Sequence, residues 1–226
     1  MGDLDRQSYL RHRYGGSQRL VDWRERRLVA ELLGLVGAPI GRALDAACGH
    51  GRLQAILRAA GAQTVVGVDL DLRHLRALAA AEAPAAAALA RVDLLGRLPF
   101  ADDAFDLTLC FRFLQHVRDP DRVGALLSEL ARVSRRHVVL SYYAAGSLHG
   151  LQRRLLRLRP GDRRQALGTL TPAHLARLAT QAGLRPVAER ALLAGIHAQR
   201  VALFERVPGA SAPPRAGPDV RGRPAP

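Results

Sequence analysis

The chain has 226 residues, of which 48% are hydrophobic, and its formal net charge at pH 7 is +14. This length suits one domain with its own core, and no run of about 18 apolar residues offers a membrane-spanning helix. All 34 basic residues are arginine and lysine is absent, which excludes a P-loop nucleotide site. The positive charge favours anionic partners. Because this composition is typical of a GC-rich genome, nucleic acid is kept only as an alternative partner.

Two helices are predicted ahead of the first strand, over 4–14 and 17–36. The second carries an apolar stripe at helical spacing, formed by Leu28, Leu32, Leu35 and Val36. The first six residues are polar and acidic and lack the apolar core of a signal peptide, so we expect a cytoplasmic protein.

The middle of the chain alternates between short apolar runs and helix-like runs. Strands are predicted at 42–46, 64–69, 86–92, 106–111 and 136–142, and helices at 51–60, 71–82 and 120–134. Nearly continuous apolar strands separated by helices predict an α/β fold with a parallel sheet covered on both faces.

The last part of the chain changes in character. A helix begins at Thr171-Pro172 and ends at Gly183, and strands follow at 185–192 and 198–206. Residues 207–226 are mostly proline, alanine, glycine and arginine, so we expect this tail to be disordered. The sequence therefore predicts one domain over 1–206.

Three predicted strands end at an aspartate. Residues 43–51 run from an apolar strand through Asp45 into a glycine turn, while Asp69 closes the second strand and Asp93 follows the third. Because the carboxyl ends of parallel strands lie at one edge of a sheet, these acids predict a nucleotide-binding site there. The alternative is that each aspartate only caps a helix. A dinucleotide-binding turn is disfavoured, because Gln54 stands where its third glycine belongs.

The motifs in this order resemble those of the class I S-adenosylmethionine (SAM)-dependent methyltransferases, in their small single-domain, ubiquinone-biosynthesis-type group. The resemblance covers about residues 9–206. The stretches that carry it are Leu-Asp-Ala-Ala-Cys-Gly-His-Gly at 44–51, Val-Gly-Val-Asp at 66–69, Leu-Pro-Phe-Ala-Asp-Asp-Ala-Phe-Asp at 98–106 and Leu-Gln-His-Val at 114–117. It implies a Rossmann-like, seven-stranded, mostly parallel sheet with helices on both faces, a last antiparallel strand, and SAM as the cofactor.

The resemblance also implies a set of cofactor-binding residues. Asp69 would bind the ribose diol, Asp45 the methionine ammonium and Asp93 the adenine amino group. Leu70 and Leu94 would sandwich the purine. The remaining predicted contacts are Ala47, Gly49, Gly51 and Phe111. Ala47 replaces the motif's first glycine, and its methyl group is tolerable there if the residue has a negative φ.

On the acceptor side, the candidates for catalysis are His116, after the fourth strand, and Tyr142, at the end of the fifth. Tyr143 ends the same strand, and one of the two tyrosines is expected to close over the acceptor. For His116 the alternative is a histidine that only holds its loop through hydrogen bonds. Tyr9 and Tyr14 resemble tyrosines of a leading helix that folds over SAM. The basic segment 147–166 is interpreted either as a lid over the acceptor or as an amphipathic helix with a solvated basic face.

The function predicted from these features is methyl transfer from SAM to a small-molecule or lipid-precursor acceptor, with O-methylation favoured. The alternatives are an RNA methyltransferase and a non-catalytic SAM-binding scaffold. Peripheral membrane contact stays open, with Trp23 as the aromatic anchor. Cys48 and Cys110 are expected to be buried, reduced thiols, and no metal-ligand spacing occurs.

Overall fold

Helices and strands alternate through the parts of the chain that the computed structural model describes, residues 18–81, 88–146 and 167–209. The helices are α1 (Gln18–Leu33), α2 (Gln54–Ala59), α3 (Leu72–Ala81), α4 (Pro120–Val133) and α5 (Pro172–Gln181), with a 3-10 turn at Leu114–His116. The strands are β1 (Arg42–Ala46), β2 (Thr64–Asp69), β3 (Ala88–Arg91), β4 (Phe105–Cys110), β5 (Ser134–Tyr143), β6 (Leu184–Ala191) and β7 (Gln199–Arg206). The predicted helix over 4–14, the segment 147–166 and residues 210–226 of the predicted tail lie outside the described residues.

The seven strands form one sheet in the order β3-β2-β1-β4-β5-β7-β6. The first five strands pair in parallel, whereas β7 runs antiparallel to both β5 and β6. The short connection between β6 and β7 permits only a hairpin, since a parallel return needs a long crossover. The predicted fold class is therefore confirmed. The strand order reverses at β1, between β2 and β4, and this is where an open α/β sheet binds ligands.

Predicted and observed bounds agree best in the sheet, where β1 and β2 begin and end at the predicted residues. The helix predicted over 17–36 ends earlier, at Leu33. There the Gly34 N–H still donates to the Ala30 carbonyl, after which the chain turns toward Ile40. Glycines at 34 and 37 end the helix, because glycine carries the largest backbone entropy cost in a helix among residues other than proline.

The core lies on both faces of the sheet. On one face α1 and α2 bury Leu28, Leu32 and Leu57 against β1 and β4. On the other face α4 and α5 pack, with Leu126 and Leu175 in the interior. Both cysteines are buried and free, as predicted. No helix in the described ranges is long and apolar enough to cross a bilayer.

A buried carboxylate ties α4 to the loop that leads into β4. Glu129 Oε2 accepts the Leu98 N–H at 2.8 Å and Arg132 Nη2 at 2.9 Å. Arg132 in turn donates to the carbonyls of Leu98 and Phe100 and to Asp102. The Glu129 carboxylate raises the pKa of Arg132. Because this loop lacks regular secondary structure, these bonds supply partners for its backbone.

Replacing Glu129 by alanine is expected to destabilise the fold by about 2–4 kcal/mol, since it leaves a buried N–H without its acceptor and Arg132 without its buried partner. Urea unfolding measures this loss. The matched control is Glu31→Ala, which removes an exposed i,i+4 partner of Arg27 and is expected to cost about 0.5 kcal/mol or less. Equal losses in the two variants would contradict the role assigned to Glu129.

Candidate active site

A cleft of about 640 Å³ opens at the carboxyl edge of the sheet, beside β1, β2 and β4. Its walls come from the glycine turn after β1, the end of β2, the segment after β4, the start of α1 and the β6–β7 turn. The residues of these walls include Gln18, Val21, Asp45, Ala47, Cys48, Gly49, His50, Arg52, Asp69, His74, Phe111, Arg112, Phe113, Gln115, His116, Tyr143, His197 and Gln199. The sheet edge predicted from the aspartates is therefore the edge that holds the cleft.

Asp69 is fixed in the wall by backbone donors. Its Oδ2 accepts the Gly49 N–H at 2.8 Å, and its Oδ1 accepts the Asp71 N–H at 2.8 Å. His74 Nδ1 lies 3.5 Å from Oδ1, and the ring of His74 packs on that of His50 with centroids 4.5 Å apart. The carboxylate thus has one orientation before any ligand arrives, and it joins β2 to the glycine turn.

Asp45 lies in the floor of the cleft and is only 2% exposed. Burial, together with the negative charge of Asp45, raises the pKa of the Cys110 thiol far above its ordinary value. Cys110 therefore remains protonated and unreactive at neutral pH.

Ala47 does not meet the condition of a negative φ. Its φ is 62°, in the left-handed region, rather than negative. A residue with a Cβ pays about 1–2 kcal/mol for this conformation. The sharp turn from β1 into the glycine loop requires this geometry, whether the residue there is alanine or glycine. The loop is therefore strained at the wall of the cleft.

The two glycines of the turn serve different purposes. Both have positive φ, 53° at Gly49 and 68° at Gly51. A Cβ on Gly49 would meet no atom within 4 Å, and this residue lines the cleft. A Cβ on Gly51 would lie 2.5 Å from Leu78 Cδ1 of α3. Gly51 therefore permits close packing of α3 against the turn, and its expected contact with the cofactor stays a prediction.

Three further predicted cofactor contacts lie outside the walls of the cleft. Leu70 is 55% exposed at the end of β2. Asp93 is exposed and its Oδ1 accepts the Leu95 N–H at 2.9 Å, as a turn-capping aspartate does. Leu94 is 3% exposed and belongs to the core. Little of the Leu94 side chain is accessible, and the sandwich of a purine between Leu70 and Leu94 stays a prediction.

On the acceptor side the structure brings His116 to the cleft and turns Tyr142 away. His116 ends the 3-10 turn after β4, and burial lowers the pKa of its imidazole. Tyr142 is 1% exposed and its hydroxyl donates to Glu189 Oε2 at 2.6 Å. Because side chains alternate along a strand, Tyr143 faces the cleft instead. Its ring meets that of His197 edge-on, with centroids 6.2 Å apart.

Sequence reasoning missed several residues of the site, among them Arg52, Glu25 and His197. Arg52 lines the cleft and, like Arg112, bonds to Glu25 of α1, while His197 comes from the β6–β7 turn. The sequence did contain an indication that Glu25 is buried, because this acid interrupts the apolar stripe of α1 one turn before Leu28 and Val29. An acid on a buried helix face needs a partner. No local sequence pattern predicts that His197 lines the cleft. Tyr9, Tyr14 and segment 147–166 lie outside the described residues.

Solved structures share this fold. Magnesium protoporphyrin IX methyltransferase from Synechocystis PCC 6803, solved with bound SAH, has a TM-score of 0.70 at 20% identity, covering 90% of this chain and 96% of that one. The PH0226 protein from Pyrococcus horikoshii OT3 has a TM-score of 0.66 at 18% identity, covering 85% and 92%. At these identities the likeness establishes the fold alone.

A family model described as "Methyltransferase domain" matches residues 44–141. Residues 44–141 therefore carry a methyltransferase domain. The uncharacterized methyltransferases of Mycobacterium leprae strains Br4923 and TN are each 36% identical to the chain over 129 aligned positions, and each alignment covers 52% of this chain. The chain spans 46% of the length of these curated relatives. The resemblance seen in the motifs is confirmed.

The cofactor of this methyltransferase family is SAM, and the residues present fit it. The cleft has room for a nucleoside, with open space beside Gly49 and an oriented carboxylate at Asp69. An ionised carboxylate suits a vicinal diol, because it accepts two hydrogen bonds at once. Within the described ranges no group of three His, Cys, Asp or Glu side chains is arranged to hold a metal ion.

Asp69→Asn is expected to weaken SAM binding by about 1.5–3 kcal/mol for each charge-assisted hydrogen bond lost. Isothermal titration calorimetry measures the change. The matched control is Asp71→Asn, because Asp71 is an exposed carboxylate nearby that pairs with Arg73 and is kept ionised by a pKa far below its usual range. Wild-type affinity in Asp69→Asn would show that the ribose position is wrong.

The two glycines of the turn allow stability to be separated from binding. Gly51→Ala is expected to destabilise the fold by about 2–3 kcal/mol, since it adds strain at positive φ and a clash with Leu78. Gly49→Ala is expected to lower the free energy of unfolding by only about 1–2 kcal/mol, the cost of its positive φ. It is expected to weaken SAM binding more than Gly51→Ala does. Thermal melts and calorimetry on both variants test this. We expect Gly51→Ala to melt at a lower temperature than Gly49→Ala. The opposite result would contradict the packing role of Gly51.

Proposed function

We propose that this protein transfers a methyl group from SAM to a hydroxyl of a small-molecule or lipid-precursor acceptor. The observation that carries the proposal is the oriented Asp69 carboxylate beside the glycine turn, in a chain with a methyltransferase domain. The name of the Synechocystis neighbour gives it a porphyrin substrate, which supports a small-molecule acceptor for this fold.

The proposed cofactor contacts follow the walls of the cleft. Asp69 accepts from the ribose diol, and Asp45 binds the methionine ammonium directly or through water. Gly49 offers bare backbone, while Ala47 and Phe111 complete the contact surface. Leu70 and Asp93 stand at the ends of neighbouring strands, where they serve the adenine if the base extends past β2 toward β3.

When bound, SAM supplies an electrophilic methyl carbon on a sulfonium with a neutral leaving group. The work of the protein is then to align the acceptor oxygen behind that carbon, and such positioning is worth about 7–11 kcal/mol in favourable cases. Phe113, Gln115 and Tyr143 line the part of the cleft beside His116 and provide the surfaces that hold the acceptor.

His116 is proposed as the general base. Although the residue is exposed, partial burial of the ring lowers the pKa of its imidazole below the ordinary 6.5, so most rings are neutral at pH 7. A neutral imidazole nitrogen accepts the hydroxyl proton as the oxygen–carbon bond forms. General-base catalysis by such a group contributes about 100- to 10,000-fold. This benefit applies to hydroxyl acceptors, whereas a neutral amine attacks with a lone pair that is already available.

An RNA acceptor is less well supported. Many arginines of the described surface pair with carboxylates of this chain, among them Arg26 with Asp22, Arg27 with Glu31 and Arg73 with Asp71. These pairs reduce the free cationic surface that phosphate binding needs. A non-catalytic scaffold would bind SAM and transfer nothing.

The test supplies methyl-labelled SAM with cell extract and separates the products into organic, aqueous and nucleic-acid fractions. The proposal expects label in small molecules, and a loss of about 100-fold or more in His116→Gln. With wild type, the rate should fall as pH drops through the lowered pKa of His116 and stay flat from there to pH 8. Label in RNA, or SAM binding without any transfer, would contradict the proposal.

A further inference from the structure

Two glutamine side chains line the cleft with amide atoms that have no hydrogen-bond partner among the described residues. Gln199, at the start of β7, is 1% exposed, and both its Oε1 and its Nε2 are unpaired. Gln115, in the 3-10 turn after β4, is 6% exposed, and its Oε1 is unpaired. Buried amide groups of proteins are nearly always hydrogen-bonded, because an unpaired one is costly. These three atoms are therefore the ones that a molecule in the cleft would satisfy.

The antiparallel end of the sheet brings Gln199 to the cleft. Because β7 runs opposite to β5, its first residue lies at the carboxyl edge and pairs with Tyr143, the last residue of β5. Opposed residues of such a pair project from the same face, and both side chains line the cleft. The Gln199 N–H donates to His197 Nδ1 at 3.0 Å, and its carbonyl accepts the Leu192 N–H at 3.0 Å. The backbone of Gln199 is thus fully bonded, and only its side chain lacks partners.

The strand order separates these amides from the cofactor end of the cleft. In the sheet β7 lies three places from β1, a distance of about 14 Å at the usual strand spacing. Asp69 and the glycine turn belong to β1 and β2, whereas Gln115 and His116 follow β4 and Gln199 begins β7. The unpaired amide atoms therefore lie toward the end that the proposed function gives to the methyl acceptor.

The hydrogen bonds present decide which amide atoms are offered to a ligand. The oxygen and nitrogen of a glutamine side chain can be exchanged by a flip. The Arg112 carbonyl accepts from Gln115 Nε2 at 2.7 Å, and a carbonyl accepts only from a donor, so Gln115 presents its oxygen. Gln199 presents both atoms in either orientation. Together the two residues offer two carbonyl oxygens and one amino group, and neither side chain carries a charge.

A primary carboxamide is complementary to this set of atoms. It has two N–H donors for the two glutamine oxygens and one carbonyl for the amino group of Gln199. We propose that Gln199, together with Gln115, determines specificity by selecting an acceptor that carries an uncharged primary carboxamide beside the hydroxyl that His116 deprotonates. The inference rests on the proposed function, because it takes this end of the cleft as the acceptor site.

A carboxylate or an ester fits these amides less well than a carboxamide does. Both groups lack an N–H donor, so both glutamine oxygens would stay unpaired. A site that hydrogen-bonds its substrate rejects an analogue without the bonding group, because its own buried polar atoms are then left without partners. The rings of Tyr143 and His197 and the side chain of Phe113 supply apolar surface around the amides. Such a lining suits a flat ring that carries the polar group.

The test uses hydroxybenzamides with the hydroxyl at ring position 2, 3 or 4, and the hydroxybenzoates and methyl hydroxybenzoates of the same ring positions. Calorimetry is carried out on wild type saturated with S-adenosylhomocysteine. At least one hydroxybenzamide is expected to bind about 10-fold or more tightly than its matching acid and ester, the gain expected from two or three neutral hydrogen bonds.

Gln199→Met separates recognition from folding. Methionine has an unbranched, flexible side chain without an amide, so the preference for the hydroxybenzamide should fall to within about 2-fold. Affinity for S-adenosylhomocysteine should stay that of wild type. The melting temperature should be unchanged or higher, because the variant removes an unpaired polar group from the interior. The matched control is Gln181→Met at the exposed end of α5, which should keep the preference.

Any of three results would overturn the inference. The first is a wild type that prefers no hydroxybenzamide or binds none of the probes, which would mean that the glutamines bond only water. The second is a preference that persists in Gln199→Met. The third is a lower melting temperature and weaker S-adenosylhomocysteine binding in that variant, which would mark Gln199 as structural. A wild type that binds neither S-adenosylhomocysteine nor SAM would instead contradict the proposed function itself.

Discussion

The hydrogen bond from the Gly49 N–H to Asp69 is the contact on which the site depends. It joins the end of β2 to the turn that leaves β1, so two neighbouring strand ends share one carboxylate. The second oxygen of Asp69 holds the start of the next loop through the Asp71 N–H. A carboxylate held by two backbone donors keeps one orientation, which is what a diol-binding acid requires.

The turn around this contact contains residues in the left-handed region of backbone conformation. Ala47 and Gly49 both adopt left-handed conformations, and Gly51 closes the turn against Leu78 of α3. Only Gly49 presents bare backbone to the cleft. In the glycine motif, Gly51 is therefore required for packing and Gly49 for access to the cleft. The sequence alone does not distinguish these two roles. The helix that covers the opposite wall, α1, is held by a buried carboxylate rather than by apolar contacts alone.

The sheet and the edge that carries the site were predictable, because each signal was local. Apolar runs of strand length with helix-like runs between them specify a parallel sheet, and Asp45 and Asp69 mark its carboxyl edge. The choice between Tyr142 and Tyr143 was not predictable in this way. Consecutive residues of a strand face opposite sides, so an uncertainty of one residue in phase reverses the assignment. Packing of Tyr142 against Glu189, 47 residues later, decides the phase.

The sequence by itself determined the order of elements, the α/β class, the glycine turn and the acids at the strand ends, because these depend on spacing within a few residues. The tertiary structure decided which glycine faces the cleft, where Leu94 lies and how Glu25 meets its arginines. Glu25 is 27 residues from Arg52 and 87 from Arg112. Such contacts arise only when the sheet brings distant loops to one edge, and no local pattern specifies which side chains then converge.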